Sequence, residues 1–327
     1  MTIDIGSTPR AFVQDYTSFE AYAAASGLLR VHASVRLADR FRARMAFINL
    51  GSVTVRRAEA SAGLSMTGDA PDKHSFTFAI KPAGPRLFAG REVADDVLYH
   101  PRPNDTLYAT SPNGRPWPWA SVGWAYDELD SLGTALAGRA VSCSRTDAAI
   151  LLAPPAARQR LHALVHEAAA MARAASDHGY SPAAAKALGG ALSEALVDCL
   201  AQGRLDHDRS AVRRHHRIMA RLEAVLEERG DTILTLSELC AAVGTAQRTL
   251  HLVCHEFLAM SPMAYLRTRR LSRVRVALLA AAPGEVKVSD VAASHGFWAF
   301  GRFSRAYFQA FGEFPSETLR APRWRDG

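Results

Sequence analysis

Two stretches of this chain, 52 residues apart, carry one pattern. Val288-Ser289-Asp290-Val291-Ala292 matches Leu236-Ser237-Glu238-Leu239-Cys240, and Gly296 matches Gly244. Leu250 then matches Phe303 at an offset of 53, so the second turn is one residue longer. In the first copy Thr235 and Glu238 read as a capping box that starts a helix at Leu236. That helix is expected to bury Leu236, Leu239, Cys240 and Val243. Gly244 makes the turn, and a second helix buries Leu250, Val253, Cys254, Phe257 and Leu258. In the second copy Phe303, Ala306, Tyr307, Ala310 and Phe311 share one face, with Arg302, Arg305 and Gln309 off it. Gly312 ends that helix and Pro315 prevents its resumption. Two short helices joined by a glycine turn, occurring twice, predict two helix-turn-helix units, 236–258 and 288–311.

The segment between the units predicts a connecting helix over 262–282, N-capped by Ser261 with Pro262 in the first turn. Its length of about 30 Å is close to one turn of B-DNA, about 34 Å. The second helix of each unit is therefore placed to enter successive major grooves. The connector carries Arg267, Arg269, Arg270, Arg273 and Arg275, with no acidic residue between Glu256 and Glu285. Some of these must face the flanking units, so only part of the set, Arg270 among it, is expected to reach phosphates. Charge follows the same division. From Arg204 onward there are 19 basic and 13 acidic residues, whereas residues 1–203 hold 20 and 19. Excess positive charge concentrated in the last 124 residues suits a polyanionic partner. Off the buried faces lie Gln247, Arg248, His251 and Leu252 on the first recognition helix. Gly301, Arg302 and Arg305 do so on the second, with Phe300 nearby. Arginine to guanine is the commonest specific major-groove contact, so Arg248, Arg302 and Arg305 are the leading candidates for base readout, with phosphate contact as the rival role.

Residues 1–153 have a different texture. After a helical patch at Phe19–Ala25, short runs of strand character follow: 45–50, 75–80, 96–100, 106–110 and 120–126, separated by turn-rich pieces. Such spacing predicts a small β-barrel or jelly roll. The aromatic residues Tyr108, Trp117, Trp119 and Trp124, with His100, are the candidates for lining a small-molecule pocket; plain core packing is the rival reading. His74 and His100 stand without an HxH pair, so no metal centre is expected. No nucleophile elbow or phosphate-binding glycine loop appears. His162 and His166 lack the HExxH pattern, and in the trio His251, Cys254 and His255 the cysteine belongs to the buried face. No cofactor is expected. From Pro154 the chain turns alanine-rich, predicting helices over 156–175 and from Pro182 to about Gln202, the second N-capped by Ser181. These read as a helical linker, 154–208, serving as a dimer interface or packing on the barrel. A further helix is expected over 209–228.

At 327 residues, 48% apolar and 22% charged, the chain has the composition of a globular protein with room for two domains. No window approaches a membrane span. Four scattered cysteines and an N-terminus lacking a basic-then-apolar run point to a reduced, cytoplasmic setting.

The second unit, with Gly296, Phe297, Phe303, Arg305, Tyr307, Phe311, Gly312, Pro315 and Ser316, resembles the signature of the AraC/XylS family of bacterial transcription regulators. Arg248-Thr249-Leu250 and the run from Ser261 to Leu271 match as well. Residues 1–153 resemble the cupin-like sensor domains carried by many of its members. The resemblance implies an α+β chain of two domains: a cupin-like β-barrel with helices over 1–153, and an all-α DNA-binding domain over 209–327. It implies a non-enzymatic activator that binds double-stranded promoter DNA as a homodimer, responds to a small-molecule effector, and works with RNA polymerase. Two alternatives stay open: a cupin-type enzyme with a DNA-binding tail, and a DNA-binding regulator controlled by a protein partner. The chain departs from the family pattern at Ala246, where a capping serine is usual, at Cys254, where phenylalanine is common, and at Ala259, where glycine is. Thr245 is the expected substitute cap.

Overall fold

The computed structural model describes residues 10–26, 30–31, 41–84, 86–102, 105–112, 114–141, 147–178, 181–207, 210–230, 232–282 and 284–320. In chain order the N-terminal elements are β1 (Arg10–Tyr16), α1 (Phe19–Ala25), β2 (Arg30–Val31), β3 (Ala43–Asn49), β4 (Val53–Ala60) and β5 (Ser65–Asp69). Then come β6 (His74–Ala79), β7 (Arg86–Phe88), β8 (Arg91–Val93), β9 (Leu98–His100), β10 (Thr106–Thr110) and β11 (Trp119–Trp124). Next are α2 (Tyr126–Ala137), β12 (Ala149–Leu152), α3 (Pro155–His178), α4 (Pro182–Gln202), β13 (Arg204–His207) and α5 (Ser210–Glu228). The remaining helices are α6 (Leu236–Val243), α7 (Gln247–Leu258), α8 (Pro262–Ala280), α9 (Val288–Ser294), α10 (Phe300–Phe311) and α11 (Pro315–Arg320).

The strands do not close into a single barrel. They form two antiparallel sheets, one of eight strands in the order β1-β3-β4-β11-β6-β9-β12-β13 and one of five in the order β2-β5-β10-β7-β8. Alternate residues of the large sheet serve two cores. Met45, Phe47, Ala58 and Trp119 pack between the sheets. Ala46, Ile48, Val55 and Trp124 pack on the other side, against α2, α3 and α4. A sheet covered on both faces loses the polar-apolar alternation of a half-exposed strand. This is why β3 shows as an apolar run while β1 and β4, rich in polar residues, carry no such signal.

The two alanine-rich helices are packed on the large sheet, with Leu161, Val165 and Ala168 of α3 and Leu192, Ala195 and Leu196 of α4 fully buried. The segment after α4 returns to the sheet as β13, pairing Ala149 with His207 and Leu152 with Arg204. Residues 204–207 therefore extend the large sheet rather than lying in a helical linker. Ser181 occupies the N-cap position of α4 but its side chain makes no capping bond. Tyr126, expected to end a strand, begins α2 instead.

A third core joins the small sheet to the C-terminal helices. Ala89 and Tyr108 pack with Met219 and Leu222 of α5, Leu239 of α6 and Val253 and Phe257 of α7. The core of the second unit, including Val274, Leu278, Phe303 and Tyr307, is continuous with the layer between the sheets. Among the described residues no helix is long and apolar enough to cross a membrane.

Candidate nucleic-acid interface

The first unit is set by its caps. Thr235 accepts a hydrogen bond from the Glu238 backbone N–H, and Glu238 accepts from the Thr235 N–H, completing the capping box. Two donors that the start of a helix leaves open are thereby satisfied. Gly244 takes the left-handed conformation at φ 70°, turning the chain into α7. The N-cap of α7 is Ala246, with no side-chain bond, so Thr245 does not stand in for the missing serine. Leu250, Val253, Cys254, Phe257 and Leu258 are buried. Ala259 closes the helix at φ 55°, a conformation that costs an alanine about 1–2 kcal/mol. Outward, Gln247 and Arg248 are exposed, Leu252 is half exposed and His251 is partly buried.

The second unit follows the same plan. Gly296 sits at φ 80°, a backbone conformation that favours glycine, and a Cβ there would also press on the ends of the Ile233 and Arg270 side chains, 2.6 Å and 3.2 Å away. In α10, Phe303, Ala306, Tyr307 and Phe311 are buried, and Gly312 ends the helix at φ 71°. Tyr307 donates to Thr318 at 2.9 Å, tying α10 to α11. Arg302, Arg305 and Gln309 are exposed, as the apolar periodicity predicts. Phe297 packs on Phe303 with ring centroids 5.1 Å apart, and the Arg270 guanidinium lies 5.5 Å over the Phe297 ring.

Helix α8 joins the two units, and at about 1.5 Å per residue it spans roughly 28 Å. Its arginines divide sharply. Arg269 is buried and pairs with Glu223 at 2.7 Å and with Glu227. Tyr265 donates to the other Glu223 oxygen at 2.5 Å. Arg275 pairs with Glu313 at 2.6 Å and with Glu20 of α1 at 2.5 Å, while lying 4.9 Å over the Phe311 ring. Arg270 and Arg273 are partly buried along a cleft shared with Arg229 and Ile233, and Arg267 is exposed. Burial, then the neighbouring Arg267 charge, lowers the Arg270 pKa. Arg269 and Arg275 thus hold helices together, Arg270 and Arg273 line the cleft, and Arg267 faces solvent.

The five N-terminal candidates are all buried and do not gather at one cavity. Trp117 and Trp119 lie between the sheets, where Trp119 donates to Tyr22 at 3.1 Å. Trp124 is on the helix side and donates to Ser193 of α4 at 2.9 Å. Tyr108 faces α7, its ring edge-on to Phe257 at 5.3 Å. His100 contacts His74 at 3.1 Å, and burial, with the His74 charge secondary, pushes its pKa down to about 3. No group of three histidine, cysteine or acidic residues suited to a metal occurs among the described residues.

Sequence patterns gave no sign of Arg86. It begins β7, its side chain is 3% exposed, and it sits 5.4 Å over the Trp117 ring. Nη2 donates to the Ala94 carbonyl at 2.8 Å and lies 2.9 Å from Asp95. Among the described residues Nε and Nη1 have no hydrogen-bond partner, nor has the Trp117 Nε1. Two residues on, Phe88 stacks on Tyr99 and meets Trp117 edge-on. The strand then turns at Ala89 and Gly90, directly under Phe257 of α7.

Comparison with known proteins bears on the helical half. A helix-turn-helix domain family matches residues 239–321. The probable thc operon regulatory protein of Rhodococcus erythropolis is 35% identical over 100 residues, covering 31% of this chain and 30% of that protein. The XylDLEGF operon transcriptional activator 2 of Pseudomonas putida is 31% identical over 99 residues, 30% of this chain and 63% of that protein. The crystal structure of a probable AraC family transcriptional regulator from Rhodopseudomonas palustris is 31% identical, covering 32% of this chain and 94% of that one, with a TM-score of 0.30. The chain thus spans under a third of the first relative's length.

Proposed function

This chain belongs to the AraC/XylS family of transcriptional regulators, and we propose that it binds promoter DNA through α7 and α10. The observation that carries this reading is the pair of helices, each buried on one face, that present Arg248, Arg302 and Arg305 to solvent. None of the three arginines is held in an ion pair among the described residues. Arginines left free on the outer side of a recognition helix have base edges and phosphates as their natural partners. Arg267 and Arg270 on α8 would neutralise phosphates between the two grooves. Residues 209–327 form the DNA-binding part on this reading, and the two-sheet layer forms a cupin-like sensor part. Activation of transcription, contact with RNA polymerase, a cytoplasmic setting and a homodimer follow from family kinship.

The sensor reading draws its support from Arg86. A buried guanidinium with two nitrogens unpartnered among the described residues, against an indole nitrogen in the same state, suits a small organic anion bearing an apolar body. Strand β7 leads from that point to Gly90 and Phe257, so a ligand there would act on α7 through three residues of backbone. Such coupling requires the ligand to bind two arrangements of the domains with different affinity.

Selection from a random duplex pool with the full-length chain tests the DNA reading. A specific site is expected, with affinity falling steeply as salt rises. Enrichment of no sequence, with salt-independent retention, would sink the reading.

A further inference from the structure

We propose that Phe300 reads a thymine in the major groove, its ring packed against the C5-methyl group. The assignment rests on the DNA-binding reading above and adds a residue whose chemistry is not that of a hydrogen-bond donor. Phe300 is the first residue of α10 and is 45% exposed. Helical periodicity places it near the buried face that Phe303 and Tyr307 fill. The first buried residue of α10 is Phe303, however, and the Phe300 ring is left about half in solvent. Side chains in a helix lean toward its N-terminus, and a first-turn residue therefore extends past the helix end. In helix-turn-helix proteins that end of the recognition helix is the one that meets base edges.

The immediate surroundings suit a close approach. Gly301 has nothing within 4 Å of where a Cβ would stand, so the helix is bare of side chain beside the ring. Trp298, two residues before Phe300, is 68% exposed, and Arg302, two residues after it in α10, is exposed too. A cationic side chain beside the ring suits a groove lined by phosphates. Within that groove the one apolar group on any base edge is the thymine methyl.

The experiment uses the full-length chain and the duplex recovered by selection from a random pool. Each thymine is replaced in turn by deoxyuridine, which deletes only the methyl group. Burial of one methyl predicts about a three- to fivefold loss of affinity at one or two positions of the half-site bound by α10. Phe300→Ala should bind thymine and uracil equally at those positions, with the salt dependence of binding unchanged. Phe300→Leu should keep part of the preference. Thermal unfolding of both variants should match the parent, since the ring is outside the core. Uracil tolerated at every position, or a thymine preference that survives Phe300→Ala, overturns the assignment while leaving DNA binding intact. Failure of the chain to enrich any sequence would bring down both.

Discussion

Gly90 and Phe257 touch so closely that a Cβ on the glycine would fall 2.5 Å from the phenylalanine ring. Gly90 is in the turn after β7 at φ 78°, and Phe257 is in the last turn of α7. The Thr110 hydroxyl donates to the Phe257 carbonyl at 3.2 Å, so strand, turn and helix meet at one point. Gly90→Ala therefore adds both backbone strain and overlap, and should destabilise the chain by about 1–3 kcal/mol. Combining it with Phe257→Leu should recover part of the loss. Denaturant unfolding of the single and double variants measures that coupling.

The first unit lacks two local stabilising features, and each can be supplied. Ala246→Ser restores an N-cap acceptor and should add about 1 kcal/mol. Ala259→Gly relieves the left-handed alanine and should add about 0.5–1 kcal/mol. The sites are far enough apart for the gains to add, read as a rise in the midpoint of thermal unfolding.

Glu223 is 4% exposed and is held by Tyr265 and Arg269. Burial, then the Glu223 charge, raises the Tyr265 pKa well above 10, so the hydroxyl keeps its proton and donates. Arg269→Ala leaves the carboxylate buried with its cation gone, and should cost about 3–5 kcal/mol. Arg267→Ala, on an exposed neighbour, should cost little stability. Equal losses in chemical denaturation for the two variants would contradict this division of the α8 arginines.

His100 stays neutral in the fold, its pKa held at about 3 against an ordinary 6.5 by burial first and by the His74 and His207 charges second. The unfolded chain binds a proton that the folded chain refuses. The contribution is therefore complete above pH 6.5 and is lost as pH falls toward 3, at up to about 1.4 kcal/mol per pH unit. His100→Gln should flatten this part of the acid limb. Unfolding free energies of parent and variant at pH 7 and pH 4.5 test it, and parallel losses would refute it.

Arg302→Ala should lower affinity for the selected site by about 1–3 kcal/mol and relax preference at one base pair if the guanidinium reads guanine. Binding to a panel of single-substitution duplexes decides this. A loss uniform across the panel identifies a phosphate contact instead.

The helical half was legible because its signals are local. Thr235 and Glu238, Gly244, Ser261 with Pro262, and Gly312 each fix a helix end within a few residues, and all occupy those places in the fold. The β-half was legible only where a strand is buried on both faces, as at β3, β6 and β10. Strand β4, with Arg56, Arg57 and Glu59, is defined by its neighbours rather than by its own residues. The aromatic candidates shared a composition but not a location, since successive residues of a strand point to opposite cores. Arg86 was invisible because burial of a charged side chain is a property of the assembled sheets. The exposed arginines of α7 and α10 were legible for the converse reason, that the apolar period assigns the remaining positions to solvent.

The two recognition helices come from one pattern but no longer share their outer residues: Gln247, Arg248 and Leu252 on one, Phe300, Gly301 and Arg302 on the other. A palindrome, read by two identical subunits, looks the same from either end. If α7 and α10 read DNA as proposed, a single copy of this chain instead carries two different readers in a fixed order along α8. On the proposed reading the preferred sequence would have a head and a tail, and reversing the site in a promoter would give a different signal rather than the same one.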